Sequence, residues 1–154
     1  MPGSPRLVQA TADDVPGLVD LHGRVDRDLT ERYGEGHWSG EPTERGVRFH
    51  LGMSRIFVVR SRGRILATLR LSTRRPWAID PAYFTPCKRP LYLLDMAVEP
   101  GKQGAGLGRR CMALVPTLAR AWPADARAGE VLALAARSKD PDVRRAAEAS
   151  GGAA

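Results

Sequence analysis

Val98-Glu99-Pro100-Gly101-Lys102-Gln103-Gly104-Ala105-Gly106-Leu107-Gly108 is the stretch on which the reading of this chain turns. Before it comes Leu91 to Val98, LYLLDMAV, almost wholly apolar, which reads as a central buried strand. After it, from Ala105 to Trp122, Leu107, Cys111, Leu114, Val115, Leu118 and Trp122 recur at helical spacing. Pro116 falls inside that helix and is expected to kink or split it, because it removes a backbone donor. Strand, glycine-rich loop, helix is the order of an anion cradle. Glycines let the backbone approach a phosphate closely, and the free N–H groups at a helix start favour negative charge. Lys102, Arg109 and Arg110 add full positive charges.

Two phosphate motifs do not fit. A GxxxxGK[ST] loop started at Gly101 reaches Gly106 but meets Leu107 where lysine is needed. A GxGxxG fingerprint started at Gly104 meets Arg109 at its third glycine, and it comes late in the chain, after strands that read as antiparallel.

Working outward, residues 6–10 read as a short first strand. Thr11 to Asp14 is a capping-box variant opening a helix that runs to about Tyr33, with Val15, Leu18, Val19, His22, Val25 and Leu29 on its apolar stripe. Glu41 to Met53 carries a weaker helical pattern through Val47, Phe49, His50 and Met53. Arg55 to Arg60 and Ile65 to Ser72 read as a hairpin across Ser61-Arg62-Gly63-Arg64, followed by an irregular loop to Pro90. In the tail, Glu130 to Ala136 and Pro141 to Ser150 are candidate elements. Residues 123–154 hold 11 alanines and no aromatic, so the expected division is a core over 1–122 and a divergent or truncated segment over 123–154.

The chain has 154 residues, 43% hydrophobic and 27% charged, which suits one globular domain. No apolar run is long enough for a membrane helix and no secretory pattern opens the chain, so a cytoplasmic protein without a membrane partner is expected. The net charge of +7 invites an anionic partner. Seven arginines and no acid lie in residues 55–75, but Phe57 is the single aromatic there, so a stacking platform for nucleic acid is not expected. His22, His37 and His50 are too scattered to suggest a metal site, and Cys87 and Cys111 add no ligand spacing.

The stretch V-x-P followed by Q-x-x-G-x-G resembles the cofactor loop of the GCN5-related N-acetyltransferase (GNAT) superfamily. The resemblance extends from residue 6 to about 122. It implies an α/β fold with a mixed, mostly antiparallel central sheet flanked by helices, here lacking the usual C-terminal strands. It implies acetyl-CoA as cosubstrate, no metal, and direct attack on the thioester by a small-molecule or protein amine. The backbone of Met96, Ala97 and Val98 would then pair with the pantetheine arm, one N–H polarising the thioester carbonyl. The N–H groups of Gln103, Gly104, Ala105, Gly106, Leu107 and Gly108 would cradle the pyrophosphate, with Lys102 and Arg109 beside it. A tyrosine often protonates the leaving thiolate in the family, but its counterpart here is Ala147.

A general base must take a proton from the amine. Asp95 is the first candidate, since a carboxylate in an apolar strand is costly unless it has work or a partner. Tyr92 is its rival, placed by alternation on the opposite face with Leu94, Met96 and Val98. Glu31 and Glu35 are weaker options, and hydrogen bonding of Asp95 to backbone or arginine is the plain structural alternative. The competing function is a catalytically impaired acyl-CoA-binding remnant or a basic nucleic-acid-binding module. A homodimer is compatible with the sequence.

Overall fold

A computed structural model describes residues 5–77, 80–86 and 90–122. Four strands form one antiparallel sheet in the order β1-β2-β3-β4: Val8–Gln9, Arg55–Ser61, Arg64–Ser72 and Tyr92–Val98. β1 pairs with β2 through Val8 opposite Val58 and Gln9 opposite Phe57. Three helices accompany it: α1 Val15–Tyr33, α2 Glu44–Met53 and α3 Leu107–Arg120. No described helix is long and apolar enough to cross a membrane.

The local signals explain the boundaries. A 3-10 turn, Ala12–Asp14, precedes α1, and Asp14 Oδ2 accepts the Thr11 N–H at 2.8 Å, the acidic half of a capping box. α2 begins three residues later than Glu41, because the Thr43 hydroxyl accepts the Gly46 N–H at 3.1 Å and sets the cap there. Arg62 and Gly63 at φ +50° and +74° supply the two left-handed residues of a tight hairpin turn. α3 is shorter than the expected helix at both ends and runs through Pro116 without splitting. The suggested elements at 130–136 and 141–150 lie outside the described residues.

The chain clusters into two compact units. The first comprises the residues up to Arg70 with Leu94–Gly108. Its core joins Leu18, Leu21 and Val25 of α1 to Val47 of α2, Ile56 and Val58 of β2 and Ala97 of β4. Phe57 and Val59 alternate with these and are buried as well, so β2 is covered on both faces. In the second unit Leu71, Leu91, Cys111, Val115 and Ala119 are buried. Cys111 is thus a core thiol, and burial pushes its pKa up.

β4 is less buried than its apolar sequence suggests. Among the described residues it ends the sheet, and only Ala97 within it is fully buried. Its far end is fixed by charge. Glu99, just past the strand, receives Arg24 of α1 through Nε and Nη2 at 2.9 and 2.7 Å on one carboxylate oxygen. Arg64 of β3 reaches the other oxygen at 3.4 Å. The Glu99 N–H also donates to Leu66 O at 2.8 Å, continuing the β3–β4 ladder.

The Arg24 and Glu99 side chains are 19% and 14% exposed, so removing one strands a charge in a poorly solvated place. Glu99→Ala is expected to lower unfolding stability by about 2–3 kcal/mol, below the range for fully buried pairs because some solvent reaches this one. Urea denaturation reads this as a lower midpoint at unchanged slope.

Candidate active site

Asp95 sits in the middle of β4 with φ +49°, in the left-handed region that a strand residue rarely enters. Aspartate tolerates it better than most side chains. Asp95, Met96 and Ala97 border one cavity, while the Met96 side chain itself reaches Gly108 at the start of α3. Met96 and Val98 thus meet the same neighbour, as strand alternation requires of residues two apart. Tyr92 opens β4 half-buried and is not among the residues lining this cavity.

Asp95 has a partner. Arg70 of β3 donates from Nε to Asp95 Oδ2 at 2.7 Å, with the guanidinium stem 13% exposed. The hydrogen-bonded alternative raised for Asp95 is thus realised, and the same carboxylate faces open space.

That cavity encloses about 570 Å³. Its floor is β4 with Thr68 and Arg70 of β3, and its walls are α1, α2 and the connection between them. All three histidines of the chain reach it: His22 from α1, His37 from the connection and His50 from α2. Sequence distance hid this convergence, which the packing of α1 on α2 produces. Among the described residues no group of three or more His, Cys, Asp or Glu side chains converges as a metal ion requires.

His22 titrates below the ordinary histidine value, chiefly because burial disfavours the cation. Asp95 and Asp26 pull it up, and Arg70 pushes it down. His50 is lowered by burial first and then by Arg70, with Asp95 opposing and His22 adding to the depression. Both rings are therefore neutral near pH 7, each with a nitrogen lone pair. Asp26, on the same wall, is raised by burial, against the pull of His22 and Arg27.

The rim is built by the turn after α1. Gly34 N–H caps Thr30 O at 2.8 Å, Gly36 N–H donates to the Ser39 hydroxyl at 3.0 Å, and Trp38 Nε1–H donates to Gly34 O at 3.1 Å. Trp38 lies so close over Gly36 that a Cβ there would stand 2.7 Å from the indole ring.

Beyond Val98, the Pro100–Lys102 3-10 turn leads into the glycine loop. Gly104 and Gly106 have φ +80° and +82°, and a Cβ on either would meet nothing within 4 Å. These glycines are needed for conformation, and the space before them is open. None of the loop hydrogen bonds among the described residues uses the N–H of Gly104, Ala105 or Gly106. Gln103 differs: its N–H donates to Pro100 O at 3.3 Å, its side-chain amide to Val98 O at 3.0 Å, and its Oε1 accepts from Arg32 at 3.1 Å. It staples the loop to the end of β4. Lys102 and Ala105 are exposed, Leu107 is buried, and Arg109 is exposed in the first turn of α3. Gly108 comes within ordinary contact of Met96 and Val98, a Cβ there standing 3.5 and 3.6 Å away, so α3 starts over the end of β4.

The fold is that of the GCN5-related N-acetyltransferases. The chain is similar in structure to an N-acetyltransferase from Staphylococcus aureus, with TM-score 0.53 and 16% identity over 77% of this chain and 68% of that one. It is similar to an aminoglycoside 6'-N-acetyltransferase from Acinetobacter haemolyticus, with TM-score 0.53 and 12% identity over 75% and 72%. It is likewise similar to a GNAT-like decarboxylase in complex with isobutyryl-CoA, with TM-score 0.53 and 17% identity over 77% and 60%. No family sequence model matches the chain, and no curated protein matches it in sequence.

Gly36→Ala is expected to displace Trp38, since the indole cannot yield a contact of 2.7 Å without leaving its bond to Gly34. A loss of about 1–3 kcal/mol, in the range of overpacked sites, is expected in chemical denaturation.

Proposed function

We propose that the chain is an acyl-CoA-dependent N-acyltransferase that carries the acetyl group of acetyl-CoA to an amine held in the histidine-lined cavity. One observation supports this most: the left-handed glycine loop, with open space before it, directly follows the irregular strand whose residues floor that cavity. An anion site and an acceptor cavity are thus joined by one short piece of backbone.

The loop fits an acyl-CoA. Gly104, Ala105 and Gly106 offer N–H groups with no acceptor in the loop, the first turn of α3 adds its own, and Lys102 supplies a full charge. Gln103 contributes by stapling the loop. β4 closes the described sheet, and its outer edge presents the backbone of Met96, Ala97 and Val98 for pairing with an extended arm. When bound, the thioester supplies an activated acyl carbon. An N–H of this segment aimed at its carbonyl oxygen would stabilise the charge that develops there.

The acceptor side favours a cation. Asp26, Glu41 and Asp95 line the cavity, against Arg70, which Asp95 already holds. An ammonium is drawn in, and it must lose a proton before it reacts. A small-molecule amine or a protein amine meets this description. A cytoplasmic setting suits the buried thiol of Cys111.

Calorimetric titration with acetyl-CoA, followed by thiol release across a panel of amines, tests the reading. Binding with amine-dependent release is expected; binding with no release across the panel would favour an acyl-CoA-binding remnant. Gly106→Asp puts a Cβ at φ +82° and a negative charge into the cradle, and acetyl-CoA affinity is expected to fall at least about 100-fold, some 2.7 kcal/mol. In the wild type, affinity is expected to weaken as ionic strength rises. Wild-type affinity in Gly106→Asp would displace the cradle from this loop.

A further inference from the structure

We propose that His22 is the group that takes the proton from the acceptor ammonium, directly or through one water, and that Asp95 and Arg70 position and tune it. The inference rests on the acyltransfer reading and names the base within it.

Geometry is the first support. His22 stands on α1 among Leu18, Leu21 and Val25, the residues that pack this helix into the core. Its backbone is therefore held by the best-buried part of the molecule, as a proton acceptor requires. It shares the cavity with Asp95, Met96 and Ala97, the segment of β4 that holds the left-handed residue. The cavity is also where an amine must lie to reach the strand backbone.

Chemistry is the second. Asp95 accepts a charge-assisted hydrogen bond from Arg70 at 2.7 Å, which ties up one of its carboxylate oxygens and places a fixed cation beside it. A neutral imidazole with no hydrogen bond to that pair is the freer acceptor. The groups facing His22 are Asp26 of its own helix, Asp95 of β4, Arg70 of β3 and His50 of α2. When His22 takes a proton, the two carboxylates stabilise the cation and Arg70 limits how long it persists. This is the balance that a base working near neutral pH needs.

The proton count closes. An N–H bond of the ammonium breaks and its proton binds the imidazole nitrogen. The freed lone pair forms the bond to the acyl carbon while the carbon–sulfur bond breaks, its electron pair leaving on sulfur. The second proton lost by the nitrogen ends on that sulfur, giving the free thiol, and His22 returns the first to solvent. The net products are an amide, a thiol and one proton.

The sign of the pH dependence follows. Only neutral His22 accepts a proton, so kcat/KM rises with pH through the ring's own pKa. Since that value lies below the ordinary 6.5, the acidic limb is expected below 6.5. In His22→Gln, kcat/KM for the best amine is expected to fall about 100-fold or more at pH 7, with acetyl-CoA affinity within threefold of wild type and the acidic limb gone. In Asp95→Asn the limb is expected to persist but shift to lower pH, because a carboxylate that raised the His22 value is lost. NMR titration of the histidine rings in the wild-type protein provides a measurement that needs no variant to fold: the His22 midpoint is expected to match the kinetic limb. A limb that survives in His22→Gln, that vanishes instead in His50→Gln or Asp95→Asn, or that does not match the His22 midpoint overturns the assignment while leaving the acyltransfer reading standing. A wild-type protein that binds no acyl-CoA overturns both.

Discussion

Asp95 at φ +49° in the middle of a strand is the constraint from which the site follows. Asp95 and Ala97, with Met96 between them, border the cavity at this point. A left-handed conformation is costly for a residue with a Cβ and persists only when its surroundings hold it. Arg70 holds this one from the neighbouring strand, itself mostly buried and so unable to swing away. The ion pair is partly exposed on the aspartate side, so its value lies more in fixing a backbone geometry than in net stability.

Glu99 plays the complementary part four residues on. Two arginines, from α1 and from β3, converge on one carboxylate at the point where the strand becomes the loop. Gln103 then ties the loop back to the last carbonyl of β4 and outward to Arg32 of α1. Helix α1 is thus joined to β4 and its loop at both ends of the turn. The helix that carries His22 and the loop that offers free N–H groups are held to one frame. The energetic cost of ordering a glycine-rich segment, higher than for any other composition, is offset by these local bonds.

Much of this was legible in the sequence because the signals are local. Thr11 and Asp14 mark a helix start, Arg62-Gly63 marks a hairpin, and Gly104 and Gly106 stand where the chain needs positive φ. Asp95 drew notice as a carboxylate in apolar company, and the structure gives it the arginine partner that such a residue needs. What escaped was non-local or broke a rule. No pattern in LYLLDMAV signals the left-handed backbone of Asp95. The three histidines share no ligand spacing, so only the packing of α1 on α2 reveals their common cavity. One clue was present. His22 occupies the apolar stripe of α1, and His50 shares that of α2 with Val47. A titratable ring on a core-facing stripe must be either satisfied or used. Pro116 shows the opposite limit, since one missing donor did not outweigh the packing of Cys111, Val115 and Ala119 and the helix continued.

Charge is divided along the molecule in a way that the net value of +7 conceals. Exposed cations are spread over the helices, the hairpin and the glycine loop, while the cavity is lined by Asp26, Glu41 and Asp95 beside Arg70. In the proposed reaction a cationic acceptor would be drawn to the carboxylates of the cavity and an anionic donor to the cations beside the loop. The two sides meet at residues 95–98, where the side chains are a carboxylate already paired and three apolar groups. A segment of that composition holds little fixed charge of its own. Backbone N–H groups and neutral imidazoles are then the polar features nearest the meeting point, and groups without full charge bind either ligand least tightly at rest. In the proposed acyl transfer their interactions would grow as charge develops, which is the property that lowers a barrier instead of deepening a ground state.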